Sequence, residues 1–241
     1  AVTIAERLGA ELRIIPIGES VKKHFETIGH DFDDHSVVFE NAQARERTMV
    51  LLDIANKVNG LDVGTKDLSE QADGWCTYNG DQISNYDINA GHTKTMVRAV
   101  VKHIADTCEH AEPASALHDI WDTPVTPELL FIGDEGELLQ KSEDSVGPYI
   151  LQDFFLWHMV MRGGSPEKVL RLAELAFEGE FTRAELIPWL RSYCRRVFVQ
   201  QFKRSASADG PAVMGVALSP RDGHKMPSAA ANALWLAAVE S

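Results

Sequence analysis

Cysteine is scarce in this chain, and the three present, Cys76, Cys108 and Cys194, are odd in number and lack any metal-ligand spacing. That argues against a disulfide framework or a structural zinc site and leads us to expect a reduced, cytoplasmic protein. Long apolar runs are missing too. The stretch Ala233 to Val239 falls far short of the roughly 20 residues a bilayer crossing needs, so no membrane partner is expected. Ala1 to Arg13 mixes Glu6, Arg7, Glu11 and Arg13 with its apolar residues, unlike a secretory signal. Positive charge is in deficit. The net charge of −13 argues against non-specific nucleic-acid binding, which depends on basic surface. A nucleotide ligand survives that test where local basic groups or Mg²⁺ offset the repulsion.

What is present suits one ordinary domain. Hydrophobic residues at 44% and charged ones at 24% match the soluble globular average, and 241 residues can bury a real core. A short helix is expected over Val2 to Leu8, then a strand over Glu11 to Ile17, with its proline at an edge or end. Helices follow over Ser20 to Ile28 and Asn41 to Val58, the latter with Leu51, Ala55 and Val58 on one face. Leu61 to Thr65 reads as a second strand and Lys94 to Asp106 as a helix. Helix, strand, helix, strand, helix indicates an α/β fold with a parallel sheet.

From Asp106 to Asp144 there are eleven acidic residues and one basic residue, Lys141, with Pro113, Pro124 and Pro127 among them. This reads as a long irregular connection of the lid or binding-loop kind, taken as residues 106–147. The rest, 148–241, reads as helical: Tyr149 to Met161, Ser165 to Phe177, Thr182 to Phe198, and Ser228 to Val239. A Gly/Pro/Ser loop, Ser205 to Pro227, divides the last two.

Candidate chemistry concentrates in Val63 to Lys94. In open α/β sheets ligands bind outside the carboxyl ends of the strands, and here polar groups crowd just past a strand end. Thr65 stands at that end, where its hydroxyl can bond a ligand. Glu70 stands in the first turns of the next helix, where a carboxylate can hold Mg²⁺ against phosphates. The plainer explanation is a Ser/Asp-capped helix with Glu70 favouring its dipole. In Gly74-Trp75-Cys76-Thr77-Tyr78-Asn79-Gly80-Asp81 a flat aromatic can stack on a pyridine ring, although an isolated Trp is usually core. Lys94 begins a helix after Ala90-Gly91-His92-Thr93, where a mobile positive charge suits an anion. On the long helix, Asn41 and Arg45 share one face, suiting a ligand with hydrogen bonds and phosphate. An N-cap and a solvated arginine would explain them equally. A His30, Asp31, Asp33, Asp34, His35 metal cluster is declined in favour of a solvated turn. A Cys76 nucleophile is declined because no histidine is placed to activate it.

Taken together, N-x-x-A-R-x-R at Asn41 to Arg47, G-T-x-D-L-S-E at Gly64 to Glu70, the Gly74 to Asp81 run, Lys94, and Phe202-Lys203-Arg204-Ser205 resemble the NAD synthetase family. The likeness is to the synthetase domain of its glutamine-dependent form. It runs from the first helix to the Trp235 region, so 1–241 would be a partial synthetase domain. It implies a Rossmann-like parallel sheet of the ATP pyrophosphatase type with a helical C-terminal part.

By this resemblance, deamido-NAD would contact Asn41, Glu70, Trp75, Cys76, Thr77, Tyr78 and Lys203. ATP would contact Arg45, Thr65, Lys94 and Thr126, with Mg²⁺ on Glu70, and Asp81 and Lys94 would be catalytic. ATP would adenylate the nicotinate carboxylate, and ammonia from a glutaminase domain outside this chain would displace AMP to give NAD. A homo-oligomer is the expected assembly. The first strand and the Ser-Gly-Gly-x-Asp-Ser phosphate loop would precede Ala1, so the chain reads as truncated and is not expected to make NAD alone. Another ATP-pyrophosphatase amidotransferase, such as GMP synthetase, and a non-catalytic dinucleotide-binding or dimerising module remain alternatives.

Overall fold

A computed structural model describes residues 2–123, 142–215, 217–221 and 223–240. Helices α1 (Val2–Arg7), α2 (Gly18–Ile28) and α3 (Val37–Val58) come first. Gly29 closes α2 and Asn59 closes α3, both in the left-handed region that a helix end favours. The helix expected from Asn41 thus starts four residues earlier. Glu11 to Ile17, expected as a strand, forms none. A strand needs a neighbour for its backbone groups; among the described residues that segment has none, and Ile14 is 80% exposed.

The chain then makes a β–α–β unit from β1 (Val63–Gly64), α4 (Leu68–Asp73) and β2 (Tyr86–Asp87). The two strands pair in parallel, Val63 with Tyr86 and Gly64 with Asp87. β1 is the centre of the expected Leu61 to Thr65 strand. β2 has no apolar run to announce it and becomes a strand only by lying beside β1. Below this ladder the buried Lys66 ammonium ion-pairs with the Asp87 carboxylate, tying the end of β1 to β2.

Helices α5 (Lys94–Thr107), α6 (Ala111–Asp122) and α7 (Ser142–Val146) follow. The acidic segment was expected to be irregular, yet α6 forms within it. Pro113 is tolerated because it falls in the first turn, where an amide hydrogen has no helical acceptor. α6 also packs on α5, with Arg98 and Lys102 held 5.4 and 5.5 Å from the Trp121 ring centre. Thr126 lies outside the described residues.

The remaining elements are α8 (Tyr149–Phe155), a π-helical segment (Leu156–Met161), α9 (Pro166–Ala176), α10 (Arg183–Val199), α11 (Gln201–Arg204) and α12 (Ala233–Glu240). Ser165 caps α9 with a hydroxyl that accepts from the Lys168 amide, and Thr182 with Glu185 forms a capping box at α10.

Two apolar clusters hold the structure. The larger joins Leu68 and Ala72 of α4 to Leu151, Phe155, Leu170, Leu186, Leu190 and Val197 of the C-terminal helices. The smaller gathers Val21, Phe25, Phe39 and Ala42. α4 is therefore rooted in the helical layer, which fixes whatever its two ends carry. On α3 the expected core face is only partly used. Ala55 is buried, but Leu51 and Val58 are more than half exposed, because helix contact is made through the smaller residues Ala42, Ala44 and Thr48.

Candidate active site at the two ends of helix α4

The first end of α4 is built by a capping box. Asp67 Oδ1 accepts from the Glu70 amide at 3.0 Å, and Glu70 Oε2 accepts from the Asp67 amide at 3.2 Å. Each carboxylate has an oxygen to spare, and both turn to one cation. Lys94 Nζ lies 2.6 Å from Asp67 Oδ2 and 2.7 Å from Glu70 Oε1. The Lys94 ammonium also sits 5.4 Å from the Tyr149 ring centre. Burial works against this ammonium, but Asp67 and Glu70 outweigh it and hold it at about 12. Burial raises the Asp67 carboxyl, Glu70 adds to that, and Lys94 opposes both.

The lysine arrives there for a reason. Thr93 caps α5, and the Lys94 amide donates to Ser69 Oγ of α4 at 2.8 Å. Ser69 in turn donates to the buried Asp153 carboxylate of α8. Asp153 Oδ2 accepts from the Thr95 amide at 2.9 Å and from its hydroxyl at 2.5 Å. Helices α4, α5 and α8 thus meet on a single carboxylate.

The second end carries the aromatic loop. Gly74 closes α4 in the left-handed region at φ 60°. Trp75 follows, with the Arg196 guanidinium 5.2 Å from its ring centre. Lys203 Nζ donates to the Gly74 carbonyl at 2.8 Å and to the Cys76 carbonyl at 2.7 Å. Asp81 Oδ1 accepts from the Thr77 amide at 2.6 Å, folding the Gly-Asp turn back on the loop. Arg45 reaches across from α3, its Nε and Nη2 both 3.3 Å from the Tyr78 carbonyl. The Cys76 thiol donates to Gln82 Oε1 at 3.4 Å, and burial pushes it up to about 12, so it carries no thiolate near neutrality.

The structure therefore gathers the expected residues into two groups. Glu70 and Lys94 stand together at one end of α4. Trp75, Cys76, Thr77, Tyr78, Asp81, Lys203 and Arg45 stand together at the other. Thr65 is exposed past β1, its carbonyl accepting from Asn89 at 3.4 Å. Asn41 lies half-buried on α3, one turn before Arg45. Arg45, expected to contact ATP, donates here to the Tyr78 carbonyl of the loop expected to meet the dinucleotide.

Sequence reasoning passed over Asp67, Tyr149, Arg196, Phe202 and Arg204. A local physical signal existed for Asp67, in the Asp-x-x-Glu capping spacing, while Phe202 and Arg204 stood in the Phe202 to Ser205 motif with no role attached. The others come from elements more than seventy residues along the chain from α4.

A bivalent cation fits the first end on the chemistry of its donors. Two carboxylates aimed at one positive charge match the hard-oxygen preference of Mg²⁺, which takes one or two carboxylates and completes its shell with water or phosphate.

Comparison with known proteins defines the class. The structure superposes on a glutamine-dependent NAD(+) synthetase from Cytophaga hutchinsonii with TM-score 0.75, covering 100% of this chain and 38% of that one at 20% identity. The fold is thus of that Rossmann-like ATP pyrophosphatase type. By sequence, the family model for NAD synthase matches residues 1–175, and the chain belongs to that family. Glutamine-dependent NAD(+) synthetases of Mycobacterium tuberculosis (strain H37Rv) and Mycobacterium leprae are 37% and 35% identical over 100% of the chain. The chain spans 39% of the length of each.

Proposed function

We propose that this chain is the amide-forming part of an enzyme that converts deamido-NAD to NAD with ATP and ammonia, releasing AMP and pyrophosphate. The observation that carries the reading is the pair of unlike sites on one short helix. A six-residue helix spans roughly 9 Å, which sets a phosphate- and metal-compatible cluster within one ligand's length of an aromatic loop. Family membership supplies the reaction.

A carboxylate is a poor electrophile, so the nicotinate group must first be activated. Its oxygen attacks the α-phosphorus of ATP, forming an acyl adenylate and releasing pyrophosphate. Ammonia then adds to the carbonyl carbon, loses a proton, and displaces AMP, a far better leaving group than oxide. Trp75 would stack on the pyridine ring, with Cys76, Thr77 and Tyr78 around it and Asp81 near the reacting carboxylate. Lys94 would leave its carboxylate partners for the ATP phosphates, where its charge offsets that developing on the leaving group. Mg²⁺ would be held by Glu70 with Asp67, and when bound it neutralises phosphate charge. Arg45, Thr65 and Thr126 would contact ATP; Asn41, Glu70 and Lys203 would contact the dinucleotide.

The names of the mycobacterial relatives support glutamine as the ammonia source, through a glutaminase domain outside these residues. A homo-oligomer in the cytoplasm completes the reading. Among the described residues no helix is long and apolar enough to cross a membrane.

The test is an assay of AMP and amide product with ATP, Mg²⁺ and ammonium, on the protein expressed from its natural reading frame, offering deamido-NAD or xanthosine monophosphate. AMP formed only with deamido-NAD is the expected result. AMP formed with the xanthosine nucleotide would move the chain to the other amidotransferase. Dinucleotide binding with no AMP from either would make it a binding module.

A further inference from the structure

Among the described residues, the largest fully buried side chain is an arginine that no part of the reaction above uses. Arg204 is 1% exposed. Its Nε donates to Gln201 Oε1 at 2.7 Å and its Nη1 to the Ala72 carbonyl at 2.7 Å and the Gln71 carbonyl at 3.4 Å. Its Nη2 donates to the Val197 carbonyl. Gln71 and Ala72 lie in the last turn of α4, where carbonyls lack intrahelical donors, and a cation there also complements the helix dipole. Burying a guanidinium merely to fill space would be a poor choice beside leucine or methionine. Here the bonds to Gln71 and Ala72 join α11 to α4, the bond to Val197 joins it to α10, and Gln201 holds the guanidinium in place.

Its neighbours in sequence act on the same target. Lys203 holds the Gly74 and Cys76 carbonyls. The Phe202 ring lies 5.2 Å from that of Tyr78. Gln200 packs so closely on Gly74 that a Cβ there would fall 2.4 Å from the Gln200 Cβ. Gln82 Nε2 returns a bond to the Lys203 carbonyl at 2.6 Å. One turn of chain, Gln200 to Arg204, therefore grips residues 71–78 from the end of α4 to the tip of the aromatic loop.

We infer that Arg204 is a positioning residue for dinucleotide recognition, anchoring α11 so that it sets the place and angle of the Trp75–Tyr78 loop. This rests on the reading of that loop as the pyridine site. Arg204 touches no ligand in this scheme. It acts on the reaction through the carbonyls of α4.

The test uses Arg204→Lys, which keeps the charge but loses the planar fork, and Gln201→Leu, which removes the amide oxygen holding the guanidinium. Two readouts are taken: amide hydrogen exchange along the chain, and calorimetric titration with deamido-NAD and separately with ATP. In both variants, exchange at residues 74–78 should rise roughly tenfold while α9 and α12 keep their protection. Deamido-NAD affinity should fall roughly tenfold while ATP affinity stays within about twofold. Unchanged exchange at 74–78, equal loss of protection everywhere, or failure of both variants to fold would overturn the positioning role. Raised exchange at 74–78 without any dinucleotide binding by the wild-type protein would leave the mechanical link standing and sink the proposed function instead.

Discussion

Lys94 Nζ and Glu70 Oε1 are 2.7 Å apart, so the group assigned to phosphate and the group assigned to metal neutralise each other in the free protein. On the proposed reading, loading ATP with Mg²⁺ would exchange this pair for two new ones, lysine with phosphate and carboxylate with metal. Little net charge would then have to be buried. Glu70→Gln keeps the shape and removes the charge, so the Mg²⁺ concentration needed for half-maximal turnover should rise. A magnesium titration of the variant checks this, and an unchanged requirement in a folded protein would leave Glu70 as a helix-capping residue only.

Trp75 offers a separate prediction. The Arg196 guanidinium lies 5.2 Å from its ring centre, and in the proposed function the remaining indole surface would be the stacking platform. Trp75→Ala should weaken deamido-NAD binding by roughly 1–2 kcal/mol, the scale of an aromatic contact with its lost burial. ATP binding should hardly move. Calorimetry with each ligand decides it: equal losses for both would make Trp75 a packing residue.

Gly74 is required twice over, by its φ of 60° and by the absence of room beside Gln200. Gly74→Ala should therefore cost roughly 1–3 kcal/mol, from left-handed strain in a residue with a Cβ and from displacement of α11. Thermal denaturation measures the loss. A melting temperature equal to that of the wild type would show that the α4–α11 contact is soft.

Asp73 predicts a pH effect. The carboxylate is 1% exposed and neither oxygen has a hydrogen-bond partner among the described residues. Burial raises it from 3.8 to about 7, with Arg196 pulling it down. The folded state therefore binds a proton that the unfolded chain has already released between those values. Stability from this group is full below the unfolded value and is lost as pH rises toward about 7, at up to roughly 1.4 kcal/mol per pH unit. Asp73→Asn mimics the protonated acid, so its stability relative to the wild type should improve between pH 5 and pH 8. Denaturant unfolding at both values checks the sign, and a constant difference would mean that the carboxylate does not titrate in this range.

Much of the site was legible because the chemistry is local. Asp67 to Glu70 specifies a capped helix start through side chains three residues apart, and Thr93 does so for α5. Gly74, with no Cβ, announces a turn before Trp75. Charge and composition weighed against a membrane span and a basic nucleic-acid surface in these residues without reference to shape. What tertiary structure decided depends on partners far along the chain. β2 is a strand only because β1 lies beside it, whereas Glu11 to Ile17, with better strand residues, has no strand partner among the described residues and remains coil. Arg204 resembles any surface arginine until α10 and α11 fold over α4 and leave it no solvent, and its donors then go to the carbonyls of Gln71, Ala72 and Val197 and to the Gln201 side chain. Local hydrogen-bond geometry is written in short spacings. Burial is a property of the whole fold, and in this chain burial turns Arg204 and Asp73 from ordinary charged residues into the framework behind the candidate site.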